Sequence, residues 1–407
     1  VMKNDALDII SCAVKAADPY DSTRNILNSL KDELTQSLTV FSIGKAAVPM
    51  ADAAQSVFGE KIKNGLLVTK YSHIGSFFSK YFDMVEAAHP ISDNNSILAA
   101  EKALMIAENL GEGDALLVLL SGGGSALLEK SVVSAEIQRD ITKKLLARGA
   151  EIDEINAIRR RISLVKGGKL AAAAYPAKVY TVALSDVLSN DKSVIASGIT
   201  VKESLPKDEF LKIANKYLPE YIEIFKTTVS DEEIKINDGG YFFAGDINSL
   251  CSAAEKRAKK LGYNVADSFR ALTGEASDNA ARLIAKALKQ SGKNAYVYGG
   301  ETTVTLKGNG LGGRNQEMAL RAAIELKGKD NIVFASVGSD GTDGPTDAAG
   351  GIADGNTYRK MKEKGIDPEA ELKNNNSYYA LGAADALIVT GPTGTNVNDL
   401  TLILTEK

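Results

Sequence analysis

The sequence of 407 residues contains few of the residues that build disulfides or zinc sites. It has only two cysteines, Cys12 and Cys251, which cannot form a disulfide framework, so nothing argues for an oxidising compartment. Its two histidines, His73 and His89, lie far from any cysteine pair and from a second histidine at ligand spacing, which argues against a zinc site.

Long apolar runs and an excess of basic residues are also absent. No stretch approaches the ~20 apolar residues that span a bilayer, and the N-terminus has helical spacing of apolar residues rather than a signal-peptide pattern. The net charge is −4, so nucleic acid or an anionic membrane would not attract the whole protein. We expect a cytoplasmic protein, monomeric or homodimeric, whose anionic ligands bind at a local site and which binds neither nucleic acid nor membrane.

The length and the hydrophobic pattern predict two α/β domains. Single cores stop growing at about 250–300 residues, and short apolar runs alternate with helix-patterned segments, which favours a mainly parallel sheet covered by helices. The charged, aperiodic stretch 226–240 suggests a boundary. We predict an α/β domain with a mainly parallel sheet at 1–235 and an α/β domain with a mixed sheet at 236–407, with the active site in the cleft between them. For the N-terminal helices, packing on the second domain is an open alternative to packing on the first.

The pattern predicts strands at 38–42, 66–69, 83–87, 115–120, 178–184, 241–244, 295–298, 302–306, 331–337, 386–390 and 400–405. Glycines and polar residues follow six of these strands, which is more than connecting turns need. Ligands of open α/β sheets bind outside the carboxyl ends of the strands, so these positions are the candidate site. They are Gly44 and Lys45; Ser121, Gly122, Gly123, Gly124 and Ser125; Ser185 and Asp186; Gly299, Gly300 and Glu301; the segment 338–343; and the segment 390–396.

Two of these loops are rich in glycine. Ser121 to Ser125 opens a helix-like segment, where bare backbone N–H groups favour phosphate or carboxylate; the alternative is a tight turn. The loop 308–313 precedes Arg314, whose guanidinium can pair with a carboxylate or phosphate; the alternative is a flexible surface hairpin. The loop at Ser121 to Ser125 lacks the spacing of a dinucleotide fingerprint, and no P-loop occurs in the sequence.

Further candidates lie on a helix and on an acidic loop. In "INAIRRRISLVKGGKL" the residues Asn156, Arg159 and Arg160 share one helical face, which either binds phosphate or is simply solvated. The loop "GSDGTDGPTDAAGG" supplies Asp340 and Asp343, which suit Mg²⁺ with substrate phosphates; the alternative is a series of Asx turns.

With these residues in hand, the chain resembles the glycerate 2-kinases of the MOFRL type over nearly its whole length. The matching runs are "SIGKAA", "VTKYSH", "EAAHPISD", "LLSGGGSAL", "INAIRRRISLVKGGKLA", "SDV…SVIASG", "GGETTVTLKGNGLGGRNQE", "GTDGPTDAAGG" and "GPTGTNVNDL". The chain departs from the family in "SDVLSNDKSVIASGIT", which lacks two prolines and one acid of the usual pattern but keeps Asp186, Ser197 and Gly198.

The resemblance implies transfer of the γ-phosphoryl group of ATP to the 2-hydroxyl of D-glycerate, and Lys45 and Arg314 match positions central to the family's site. It also implies that the larger domain is Rossmann-like and that the second, smaller domain is of the MOFRL type, with the site between them. Phosphoryl transfer needs positioning, cations and a metal, so we assign roles on that basis. Arg314 binds the glycerate carboxylate, Lys45 the transferred phosphoryl, and Asp186 orients or deprotonates the hydroxyl. Phosphates go to Ser121, Gly122, Gly123, Gly124, Ser125 and Arg159, with Gly310, Gly312 and Gly313 as the second backbone cradle. Mg²⁺ goes to Glu301, Asp340 and Asp343.

Two other functions are open from the sequence. A nicotinamide-dependent hydroxypyruvate reductase is disfavoured because the third glycine of the dinucleotide fingerprint is missing after Gly124. A non-catalytic binder of a phosphorylated metabolite would explain the glycine loops but leaves the carboxylates at the strand ends without a purpose.

Overall fold

A computed structural model describes residues 1–230 and 233–406. The chain divides into two compact units. The parallel-sheet unit comprises Thr23–Leu184 and Asn190–Ala244, and the mixed-sheet unit comprises Val1–Ser22, Ser185–Ser189 and the chain from Gly245 onward. Two residues of the expected linker, Asp231 and Glu232, lie outside the described residues, and the domain limits at 235 and 236 stay a prediction.

Twelve strands form two six-stranded sheets. The strands are β1 (Ser37–Ile43), β2 (Ile62–Lys70), β3 (Asp83–Ala87), β4 (Asp114–Leu120), β5 (Lys178–Leu184), β6 (Asn237–Gly245), β7 (Asn264–Leu272), β8 (Lys293–Gly300), β9 (Ile332–Gly338), β10 (Gly350–Asp354), β11 (Leu387–Ile388) and β12 (Asp399–Glu406).

The helices are α1 (Met2–Ala16), α2 (Pro19–Ser29), α3 (Ala47–Phe58), α4 (Asn94–Glu108), α5 (Gly124–Leu127), α6 (Ala135–Ala147), α7 (Ile152–Ile162), α8 (Lys169–Ala173), α9 (Lys207–Tyr217), α10 (Ile222–Thr228), α11 (Ile247–Lys260), α12 (Ala276–Ala287), α13 (Arg314–Glu325), α14 (Thr357–Glu363), α15 (Pro368–Lys373) and α16 (Ser377–Ala383). None of them, in the part of the chain that is described, is long and apolar enough to cross a bilayer.

The first sheet has the strand order β3-β2-β1-β4-β5-β6, and β1 to β5 pair in parallel. Every residue of β1 and β4 after the first is buried, as expected for parallel strands covered on both faces. Because the strands run in the same direction, the residues that follow β1, β2, β3 and β4 emerge at one edge of the sheet. The predicted α/β class with a mainly parallel sheet is confirmed.

The second sheet has the order β11-β10-β9-β12-β8-β7. It is mixed, as predicted, because β7 pairs in parallel with β8 while β8, β12, β9, β10 and β11 pair antiparallel. Helix α13 packs in the core of this unit through eight buried residues. On α1, Asp8 forms an ion pair with Arg257 of α11, at 2.5 Å.

One predicted strand is wrong, and two strands were not predicted. Residues 302–306 alternate like a strand, but they form only an isolated bridge between Thr303 and Glu275. The N–H groups of Thr305 and Lys307 are instead bound by the side chains of Glu275 and Asn375. Strands β7 and β10 escaped prediction because β7 is largely half-exposed and β10 begins with two glycines.

Candidate active site

The glycine turn after β4 is joined to the turn after β1 in the parallel-sheet unit. Lys45 N donates a hydrogen bond to Gly122 O at 2.9 Å, and Ala46 N donates to Ser121 Oγ at 3.0 Å. Gly123 adopts a left-handed conformation, with φ of 90°. A Cβ on Gly123 would also lie 3.0 Å from Cδ2 of His89 and 3.4 Å from Cγ of Lys45. Both the backbone angle and the close neighbours therefore require glycine here.

His89 and Lys45 lie beside this turn, and the charge of a second lysine, Lys70, acts on His89. Burial lowers the pKa of His89 below its usual value of 6.5, and the positive charges of Lys45 and Lys70 lower it further. Within the described chain, no carboxylate forms an ion pair with either lysine. We call Lys45, Lys70, His89 and Gly123 the Gly123 cluster. Positive charge without a counter-ion, beside an open glycine turn, is suited to an anionic ligand.

Two other predicted residues of this unit have different surroundings. Ser125 Oγ lies 2.8 Å from Ser197 Oγ, and Ser197 follows Ala196 in a left-handed conformation. Arg159 on α7 is half-buried, which lowers its pKa, and it forms no hydrogen bond or ion pair among the described residues. Its neighbour Arg160 pairs with Glu203 at 2.5 Å. Arg159 therefore keeps a free guanidinium, whereas Arg160 is already neutralised.

In the mixed-sheet unit, carboxylates already bind the guanidinium of Arg314. Its Nε and Nη2 donate to the two oxygens of Asp399, at 2.5 and 3.0 Å, and its Nη1 lies 3.2 Å from Oε1 of Glu301. The hydrogen bonds that Arg314 donates to Asp399 raise the pKa of Arg314. Burial raises the pKa of the Asp399 carboxyl to about 6, and Arg314 opposes that rise. Only the Nη1 edge, held by the exposed Glu301, is available to exchange partners.

The predicted metal ligand Asp343 serves as the cap of helix α13. Its Oδ1 accepts from Asn315 N at 3.1 Å and its Oδ2 accepts from Gln316 N at 2.8 Å, so the carboxylate satisfies two unpaired N–H groups of the first helical turn. Asp340 accepts from Thr342 N at 2.9 Å. Across 1–230 and 233–406, no group of three or more histidine, cysteine, aspartate or glutamate residues is arranged to hold a metal ion.

The second glycine loop, 308–313, is pinned by three consecutive asparagines. Oδ1 of Asn375 accepts from Lys307 N and Gly308 N, at 2.7 and 3.0 Å. Farther along the loop, Asn309 N donates to Oδ1 of Asn374, and Leu311 N donates to Oδ1 of Asn376. We call Asn374, Asn375 and Asn376 the asparagine ladder.

The ladder also explains why this loop needs glycine. A Cβ on Gly308 or Gly310 would overlap atoms of Asn374 or Asn376, a Cβ on Gly312 would overlap Ser377, and one on Gly313 would overlap Asp343. None of these glycines has a positive φ. One side of the loop therefore has glycines for close packing against protein, while its other side is open to a cavity.

That cavity has a volume of about 600 Å³ and lies within the mixed-sheet unit. Its walls include Glu301, Val304 and Leu306, the loop glycines, the N-terminus of α13 and the segment at Leu188. Glu317 of α13 is buried beside it, accepts from Asn375 Nδ2 at 2.9 Å, and has a pKa raised by burial. Glu317 and the asparagine ladder were not predicted from the sequence.

Asp186 is held by Asn398, an asparagine outside the ladder that was not predicted from the sequence. Its backbone carbonyl accepts from Asn398 Nδ2 at 2.8 Å. Asn398 has φ of 67°, and its buried Oδ1 has no hydrogen-bond partner among the described residues. A strained, buried side chain with an unused acceptor is typical of a functional site. The signal was available in the motif "GPTGTNVNDL", which also carries Asp399.

Two family models match this chain. The model of the domain of unknown function DUF4147 matches residues 5–225, and that of the MOFRL family matches residues 294–399. The D-glycerate 2-kinase of Thermotoga maritima is 42% identical, over 98% of this chain and 97% of that protein. The chain belongs to the glycerate 2-kinase family of the MOFRL type.

Two further relatives extend the comparison. The crystal structure of a glycerate kinase from Thermotoga maritima covers 99% of both chains with a TM-score of 0.93 and 40% identity. A relative from Agrobacterium vitis, 36% identical over 97% of this chain and 93% of its own length, is provisionally named a hydroxypyruvate reductase. Family membership does not assign ligands to the individual residues described above, so the site in the cleft and the roles of its residues stay predictions.

Proposed function

We propose that this protein is a glycerate 2-kinase, which transfers the γ-phosphoryl group of ATP to the 2-hydroxyl of D-glycerate. The Gly123 cluster supports this proposal most directly. Both substrates are anions, and the cluster offers two lysines that have no counter-ion among the described residues, beside a glycine turn that allows close backbone approach.

The cluster changes which unit we assign to the anionic groups. In the mixed-sheet unit, Asp399 already binds the Nε and Nη2 edge of Arg314, and Asp343 already binds the N-terminus of α13. We therefore assign the glycerate carboxylate and the transferred phosphoryl group to Lys45, Lys70 and the glycine turn. Compared with the assignment made from the sequence, the glycerate carboxylate moves from Arg314 to this turn, while the transferred phosphoryl group stays with Lys45.

Within this proposal, Arg314 keeps a narrower role. Asp399 fixes the plane of its guanidinium, so only Nη1 can contact a substrate phosphate oxygen once Glu301 releases it. Asp186 remains our candidate for orienting the 2-hydroxyl, since Asn398 holds its backbone.

Mg²⁺ would neutralise charge on the β and γ oxygens of the nucleotide. Mg²⁺ usually takes one or two carboxylates plus substrate phosphates. Glu301 and Asp340 fit that limited need because both are available at the ends of β8 and β9, whereas the oxygens of Asp343 are committed to α13. Glu301 or Asp340 would hold the ion, which would supply positive charge beside the phosphates of the nucleotide.

The test is a coupled assay of ATP consumption with D-glycerate, followed by identification of the phosphorylated product. We expect 2-phosphoglycerate, with activity lost in Lys45→Ala and retained in Lys63→Ala, a lysine that contacts only a backbone carbonyl at the surface. Formation of 3-phosphoglycerate, or reduction of hydroxypyruvate with NADH in place of kinase activity, would contradict the proposal. Binding of ATP with no turnover would favour the non-catalytic alternative.

A further inference from the structure

The cavity beside the asparagine ladder does not have the composition of an anion site. Arg314 is the only basic residue among those that line it, while Glu301, Glu317 and Asp343 are acidic. The positive charge of Arg314 is matched by Asp399 and Glu301. A free triphosphate or the carboxylate of glycerate would meet more negative than positive charge here.

The size and the walls of the cavity point to a larger, mostly neutral group. Its volume of about 600 Å³ lies in the range of roughly 300–1,000 Å³ found for drug-sized ligands, whose pockets combine apolar walls with a few polar groups. A three-carbon acid would leave most of it empty. The apolar residues Leu188, Val304 and Leu306 contribute to the walls, and Leu306 is 77% exposed, an apolar side chain at the rim with little covering it.

Unused hydrogen-bonding groups stand beside these apolar walls. Within the described part of the chain, the N–H groups of Gly312 and Gly313 have no hydrogen-bond partner, although both residues line the cavity. The carboxyl of Glu317 is fixed by Asn375 at 2.9 Å. Amide donors and a fixed carboxyl beside aliphatic side chains suit the edge of a base and the hydroxyls of a ribose.

We infer that this cavity of the mixed-sheet unit binds the nucleoside part of the nucleoside triphosphate. The inference rests on the proposed kinase function, which it deepens by separating the nucleotide into two parts. The base and ribose lie against Leu306 and the glycine loop, and the polyphosphate extends from the cavity past Nη1 of Arg314.

The experiment compares Leu306→Ala with Leu146→Ala. Leu146 is a leucine of α6 in the other unit with similar exposure, 66%, so both variants should fold. Calorimetry measures the binding of adenosine and of inorganic tripolyphosphate, and steady-state kinetics measures the KM for ATP. Leu306→Ala should weaken adenosine binding and raise the KM for ATP, each on the order of tenfold, with tripolyphosphate binding unchanged. Leu146→Ala should match the parent in every measurement.

Three results would overturn the inference. They are equal adenosine affinity in the two variants, equal loss of adenosine and tripolyphosphate affinity in Leu306→Ala, and the absence of adenosine binding to the parent together with an unchanged KM for ATP. The proposed function fails separately, if the parent protein does not phosphorylate glycerate; selective loss of adenosine affinity in Leu306→Ala would then still support a nucleoside site.

Discussion

His89 is the residue whose ionisation reports directly on the Gly123 cluster. Burial and the charges of Lys45 and Lys70 hold its pKa below 6.5, so folding disfavours its protonated form. Stability from this group is therefore present above pH 6.5 and is lost as the pH falls from 6.5 towards the folded pKa. An anion bound at the cluster would offset the lysine charges and raise the pKa.

We predict that tripolyphosphate raises the pKa of His89. Only two histidines are present, so an NMR titration should show two sets of imidazole signals, with His89→Gln identifying one. The pKa of His89 should lie below 6.5 in the free protein and move upward with tripolyphosphate. An unchanged pKa for His89 under saturating tripolyphosphate would place the phosphates elsewhere.

A buried ion pair gives a second prediction for single residues. Lys166 and Glu129 form an ion pair at almost complete burial, with Ser163 Oγ donating to Glu129 at 3.0 Å. Removing one partner leaves an uncompensated buried charge, which typically costs about 3–5 kcal/mol, whereas replacing both with apolar residues of similar volume is often nearly neutral. The pair should therefore tolerate a double replacement better than a single one.

We expect Lys166→Met and Glu129→Leu each to lower the free energy of unfolding by about 3–5 kcal/mol, and the double variant to recover most of the loss. Chemical denaturation measures all three. Glu223→Gln, which breaks the exposed pair with Lys226, is the control and should cost less than about 1 kcal/mol. Additive losses in the double variant would show that the two residues contribute to stability independently.

At the scale of elements, the sequence predicted those that have strong hydrophobic periodicity. Strands β3 and β5 were predicted with their observed limits; β5 is rich in Val, Tyr and Thr, which favour strands. The short Thr-Val-Thr-Leu alternation at 303–306 failed because the side chains of Glu275 and Asn375 take backbone N–H groups that a neighbouring strand would need. Because Glu275 and Asn375 are distant in the sequence, the local pattern of this segment does not reveal that they bind its backbone N–H groups.

The residues of the candidate site likewise divide into those that the sequence could predict and those that it could not. Lys45, Ser121 and Gly123 could be predicted because they follow parallel strands, whose carboxyl ends share one edge. Asp399 and Glu317 could not, since one is the first residue of a strand and the other lies inside a helix. The capping role of Asp343 depends on a contact between residues 27 positions apart in the chain, which spacing alone does not reveal.

The asparagine ladder supports a prediction about the glycine loop as one element. Asn375→Ala removes the acceptor for two N–H groups and the donor to buried Glu317, which should cost about 1–3 kcal/mol of stability. Because Asn375 has φ of 53°, Asn375→Gly serves as the control that removes the side chain without backbone strain.

Hydrogen exchange should show faster exchange of the Lys307 and Gly308 amides in both variants, with the amides of β8 unchanged. Denaturation should show a larger loss for alanine than for glycine. If both variants keep the parent's exchange rates in the loop, the glycines hold its conformation without the ladder.

At the scale of the whole molecule, ligands are distinguished by the stability that they add. A ligand that binds only the folded protein adds about 2.7 kcal/mol at 100 times its Kd. We predict that ATP raises the Tm of the chain and that NADH does not, because the turn at Gly123 lacks the dinucleotide spacing. Differential scanning fluorimetry with Lys45→Ala, which should respond less to ATP, checks this. A larger shift with NADH than with ATP would favour the reductase alternative.

The asparagine ladder also bears on how the protein ages chemically. Asparagine is a thermolabile residue, and it deamidates when the backbone nitrogen of a following glycine attacks its side chain. The Asn309–Gly310 pair lies in the glycine loop, but Gly310 N donates its hydrogen bond to Asn374 O at 2.9 Å, so the nitrogen that would attack is held away. During storage at elevated temperature, the rate of deamidation at Asn309 should be limited by the rate at which the hydrogen bonds of the asparagine ladder break. Mass spectrometry of the peptide that contains Asn309 would then report how often the hydrogen bond from Gly310 N to Asn374 O is broken.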